Sequence, residues 1–95
     1  MPEMRFLIRW PDGTVESCYS PSLVVKEYFV PGETYPLADF LVHSRAALTI
    51  ASDRVKAKYG YYCTSAMAQL ERIETAAKAF ADRQDARVGV DAFEE

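Results

Sequence analysis

"MRFLIRWPDGTVESCYS", residues 4–20, is the stretch that decides how this chain folds. Its first half alternates, with Met4, Phe6, Ile8 and Trp10 on one side and Arg5, Leu7 and Arg9 on the other. Period two is the mark of a strand with one buried face. Pro11-Asp12-Gly13 supplies turn chemistry: proline presets φ, aspartate tolerates the bend and glycine accepts a positive φ. "TVESCYS" is then the returning strand, and the stretch predicts an antiparallel β-hairpin. Just beyond it, Ser20 is a preferred helix N-cap and Pro21 suits a first helical position, so "PSLVVKEYF" reads as a short helix. The β-branched pair Val24-Val25 keeps a strand open as the alternative over residues 22–29. Pro31-Gly32 ends the segment in either reading.

Working outward, "PLADFLVHSRAALTIASDRVKAKYG" (residues 36–60) carries the helical period. Leu37, Phe40, Leu41, Ser44, Leu48, Ala51, Val55 and Tyr59 recur at three- and four-residue steps. Lys56 and Lys58 suit the last turn, and Gly60 stands where a left-handed C′ residue belongs. A second helix is predicted from Thr64, as its cap, to about residue 82, with Ala66, Leu70, Ile73, Ala77 and Phe80 on its apolar side and Met67 beside them. The short link between the two helices implies an antiparallel αα-hairpin, and frequent alanines let the axes approach. In "RVGVDAF" (residues 87–93), Val88, Val90 and Ala92 alternate with Arg87, Gly89 and Asp91. A third strand is the preferred reading because a lone hairpin is marginal; a flexible acidic tail over residues 84–95 competes with it. Residues 1–95 thus read as one α+β domain, a hairpin or three-stranded sheet packed on a long αα-hairpin.

Composition narrows the functional classes. With 95 residues, 49% hydrophobic and 26% charged, the chain matches a small globular protein with a thin core. The net charge of -3 disfavours nucleic acid, which selects basic surfaces. No apolar run approaches the roughly 20 residues that span a bilayer, and the start has no secretion-signal pattern. The expectation is a cytoplasmic protein with no membrane contact. Cys18 and Cys63 form no CxxC pair and no metal pattern, so free thiols, no metal and no cofactor are expected.

Few residues invite chemistry. Cys18, two residues before a predicted helix start, is a candidate nucleophile or redox thiol. The plainer reading is a small strand residue packed against a helix; counting from Thr14 and Glu16 points to the less buried face unless a hairpin bulge reverses the parity. His43, the chain's single histidine, is the natural candidate for a base at neutral pH, against a polar residue beside the helix stripe. Ser20 and Ser22 at the helix start, with Arg5 and Arg9 nearby on a strand, form a candidate anion or metabolite site. Simple capping and a solvated arginine stripe oppose that reading, and "SPS" lacks the glycines of a phosphate loop. Arg45, Arg54, Lys56 and Lys58 make half of the long helix basic, while Asp82, Asp85, Asp91, Glu94 and Glu95 make the C-terminal stretch acidic. These charges suit one another within the fold or between subunits. Tyr59, Tyr61 and Tyr62 either close the core at the helix corner or form an exposed patch.

"RWPDG", "CYSPS", "YPLADFLVHSRAAL", "ASDRVKAKYG" and "VGVDAFE", in this order and spacing, resemble a family of small bacterial nitrogen starvation response proteins. The resemblance covers nearly the whole chain. It implies a bacterial cytosolic protein encoded in gene clusters with a nitrilase, a radical-SAM protein and an acetyltransferase-like protein. It implies a role when nitrogen is scarce and assigns no reaction, so no catalytic residue carries over. The resulting expectation is a non-enzymatic accessory or regulatory protein, a homodimer that also contacts proteins from the same cluster. An anion or metabolite sensor using Ser20–Ser22 is the alternative, and a thiol enzyme using Cys18 with His43 is the third.

Overall fold

The computed structural model describes residues 3–61 and 64–95. Statements about Tyr62 and Cys63 lie outside the described residues. Four strands form one antiparallel sheet: β1 Met4–Arg9, β2 Val15–Ser20, β3 Thr34–Pro36 and β4 Arg87–Glu94, in the order β2-β1-β4-β3. Helices α1, Leu37–Tyr59, and α2, Thr64–Ala77, pack side by side on one face of it.

The predicted hairpin forms around its turn. The Thr14 N–H donates to Asp12 Oδ1 at 2.9 Å, and Gly13 sits at φ 90°, which a side chain rarely adopts. Phe6 and Cys18 are directly opposed, as are Leu7 and Ser17. Met4, Phe6, Ile8 and Trp10 therefore enter the core with Cys18, Val88 and Val90, joined from above by Phe29, Phe40, Leu48, Leu70 and Ile73. Phe29 stacks on Phe6, and Trp10 lies between Phe40 and Phe80.

The C-terminal stretch is a strand, as preferred, but it pairs on both sides. It lies between β1 and a fourth strand, β3, which the sequence reading missed. β3 has three residues and ends in Pro36, too short to show a period. Pro36 also opens α1, where the Leu37 N–H donates to the Ala86 carbonyl at 3.0 Å. At the far end Gly60 takes φ 86° and its N–H donates to the Lys56 carbonyl, closing the helix as expected.

Three further expectations need correction. The segment after β2 is a 3₁₀ turn, Leu23–Glu27, and its cap is Ser22, whose Oγ accepts from the Val24 N–H. The proline at position 21 stands outside the turn because Ser20 is still bound into β2 opposite Met4. α2 stops at Ala77 and tightens into a 3₁₀ turn at Lys78–Phe80, which aims Phe80 back onto Trp10. Tyr59 and Tyr61 do not close the core: they are 49% and 65% exposed and lie against each other at the outer end of the helical pair.

Candidate functional site

β2 and the turn that follows it hold Cys18, Ser20 and Ser22, half of the predicted site residues. Cys18 is fully buried on the inner face of the sheet. The expectation of a less buried face fails because pairing fixes the parity: Cys18 opposes core residue Phe6, so it shares the core face. Counting from Glu16 misled because Glu16 points inward too. Its carboxylate is satisfied at the rim, where Trp10 Nε1 donates to Oε1 at 3.1 Å and Arg72 Nε donates to Oε2 at 2.7 Å. Burial pushes the Cys18 thiol up to about 12, and the neighbouring Glu16 charge adds to the rise. A thiol so raised is protonated at neutral pH, whereas a nucleophilic cysteine needs the thiolate.

His43 does not attend that thiol. It stands on α1 among the rings of Tyr28, Phe29 and Tyr35, with centroids 6.1, 5.8 and 5.8 Å away. Tyr35 belongs to β3, and β2 is the opposite edge strand, three strand spacings distant or roughly 14 Å. Its Nδ1 is buried and has no hydrogen-bond partner among the described residues. The ring thus packs as an aromatic in a cluster with Phe29 at its centre.

The serines are also spent internally. Ser20 Oγ donates to the Ser22 carbonyl at 2.7 Å and accepts from the Ser22 N–H at 3.3 Å. Ser22 Oγ accepts from the Val24 N–H at 3.2 Å and from Arg54 Nη1 at 3.0 Å. Both hydroxyls are buried, and Arg54 also faces Glu27 at 3.8 Å. Arg5 and Arg9 project from the other face of the sheet, so the four residues do not converge. Arg9 pairs with Asp91 at 3.0 Å, and the Arg5 guanidinium lies 5.9 Å from the centre of the Tyr19 ring. The Ser20–Ser22 turn is a knot that ties β2 to α1 through Arg54.

The basic half of α1 is paired from other elements than expected. Arg45 meets Glu74 of α2 at 2.7 Å, and Arg54 meets Glu27. The acidic C-terminal stretch instead meets Arg9 through Asp91 and Lys26 through Glu95.

The reading of the sequence missed the surface that these contacts leave open. Arg5, Leu7 and Arg9 of β1 share the outer face of the sheet with Val15, Ser17 and Tyr19 of β2 and with Ala92 and Glu94 of β4. Both helices lie on the opposite face. Leu7 and Val15 were visible as apolar residues out of phase with the core stripe, which was the available signal.

A model of the nitrogen starvation-induced protein NitG family matches residues 5–93. The chain belongs to this family. The match runs from β1 into β4 and covers both helices and all but the end residues Met4 and Glu94 of the sheet. No curated protein and no solved structure matches the chain significantly. Among the described residues, no helix is long and apolar enough to cross a membrane, and no three His, Cys, Asp or Glu side chains are grouped to hold a metal ion.

Proposed function

We propose that this NitG-family chain is a non-enzymatic accessory protein of the nitrogen-starvation response. In this reading it is a homodimer in the bacterial cytoplasm and acts by protein contact in a nitrilase-associated pathway. Membership of a nitrogen starvation-induced family supports the physiological setting. The open face of the sheet carries the mechanistic part of the reading. A four-stranded sheet needs one covered face to be stable, and here the second face mixes arginines with Leu7, Val15, Tyr19 and Ala92. Interfaces favour such arginine and tyrosine mixtures around a modest apolar centre.

The chemistry around Cys18 supports the same reading, because a thiol held near 12 has no thiolate to offer at neutral pH. The test is reconstitution with the nitrilase, radical-SAM and acetyltransferase-like proteins of the cluster. The tagged chain is expected to retain at least one of them through size-exclusion chromatography at micromolar concentration. Failure to retain any of the three refutes the reading.

A further inference from the structure

The two edges of the sheet are finished differently. β3 is short, ends in Pro36 and is braced beside β4, where the Gly32 N–H donates to the Val90 carbonyl and the Val90 N–H to the Glu33 carbonyl. Short length and proline are the usual protections of an edge. β2 has neither. Its six residues, Val15–Ser20, run in unbroken register with β1 and include no proline, lysine or bulge.

The direction of its outward backbone groups follows from the ladder. The Trp10 N–H donates to the Thr14 carbonyl, so Trp10 and Thr14 form a hydrogen-bonded pair. Antiparallel alternation makes Ile8–Glu16, Phe6–Cys18 and Met4–Ser20 the next such pairs. Val15, Ser17 and Tyr19 therefore aim their N–H and C=O groups away from the sheet. Gln69 of α2 confirms the direction, since its Oε1 accepts from the Tyr19 N–H at 3.0 Å.

We infer that β2 pairs antiparallel with β2 of a second copy of this chain about a two-fold axis through Ser17, joining two sheets into one of eight strands. The strand is self-complementary in that register. Val15 falls opposite Tyr19 of the second copy twice, a β-branched–aromatic pair of the kind that stabilises adjacent strands. Glu16 falls opposite Cys18 of the second copy, so the two Glu16 carboxylates are not directly opposed. Arg72 supplies the charge complement. It binds its own Glu16 through Nε alone, and its side chain is 71% exposed, which leaves the terminal nitrogens for Glu16 of the second copy. Gln69 yields the Tyr19 N–H to the Val15 carbonyl of the second copy as the strands meet. Beside Arg72, Ala68, Glu71, Thr75 and Ala76 line a shallow groove on α2.

This inference rests on the interaction reading above for a homodimer, and names its interface. The test is light scattering of the full chain and two variants at about 50 µM, a concentration chosen well above ordinary micromolar affinities. The native chain is expected at twice its 10.7 kDa monomer mass. Ser17→Pro removes an N–H that points away from β1, so it spares the internal ladder, and Val15→Lys places a charge at an exposed position on the seam. Each variant is expected to halve the mass while keeping the native far-ultraviolet circular dichroism. If Ser17→Pro fails to fold, Val15→Lys decides. A monomeric native chain, or a folded Val15→Lys variant that stays dimeric, overturns the inference. A monomeric native chain also removes the homodimer from the reading above, whereas a folded Val15→Lys variant that stays dimeric overturns this interface alone; retention of the cluster proteins is measured separately.

Discussion

The two faces of the same sheet teach opposite lessons. On the inner face, Phe6, Ile8, Cys18, Val88 and Val90 are sealed under two helices, and the Cys18 thiol is absorbed by packing. On the outer face, Arg5, Leu7, Arg9 and Tyr19 stand one residue away in sequence and lie outside the core cluster. Cys18, Ser20 and Ser22, which looked chemical in the sequence, fell on the sealed side, while Arg5 and Arg9 stand on the outer face apart from them.

The largest expected contrast is between neighbours on β1. Phe6→Ala empties a fully buried ring site against Phe29 and is expected to cost about 3–5 kcal/mol. Arg5→Ala, one residue away on the open face, is expected to stay within about 0.5 kcal/mol. Urea unfolding of the pair measures the difference directly; similar losses for both would erase the distinction between faces.

Glu16 sharpens the boundary. Glu16→Ala leaves the buried Trp10 indole N–H without its acceptor, and is expected to cost about 1–3 kcal/mol by the same measurement. A smaller loss is expected for Ser22→Ala, about 1 kcal/mol, because it removes the cap of the 3₁₀ turn and the Arg54 tie.

Cys18 gives a pH test with a defined sign. Its folded pKa is raised from 9.0 to about 12, so the folded chain holds the thiol proton where the unfolded chain has lost it. The burial of a neutral thiol is therefore fully favourable below about pH 9, and that stability is lost as pH rises toward 12. Chemical denaturation between pH 8 and pH 10.5 is expected to show a decline that is shallower in Cys18→Ala. Equal slopes would show that burial of this thiol is not what the pH dependence reports.

Much of this architecture was legible in the sequence. The hairpin, the long helix ending at Gly60, the helical pair and the C-terminal strand all announce themselves by period or by turn residues. β3 did not, because Thr34-Tyr35-Pro36 is too short to alternate and its proline suggests an end. The face of Cys18 was misread because Glu16 breaks the polar-out pattern: a carboxylate points inward when a tryptophan N–H and an arginine receive it. The serine cap slipped by two residues because strand pairing at Ser20 outcompeted helix initiation at Pro21. The absence of a convergent Cys18–His43 pair was readable only from topology, which puts their surroundings at opposite edges of the sheet.

The claim that contact, and not the thiol, carries function is tested most directly by comparing two variants in one binding assay. Cys18→Ala and the double variant Arg5→Glu, Arg9→Glu would each be titrated against whichever cluster protein the native chain retains. Cys18→Ala is expected to bind within about twofold of the native chain, while the double variant is expected to lose at least about tenfold, the equivalent of about 1.4 kcal/mol. Loss of binding in Cys18→Ala with full binding by the double variant would contradict that claim.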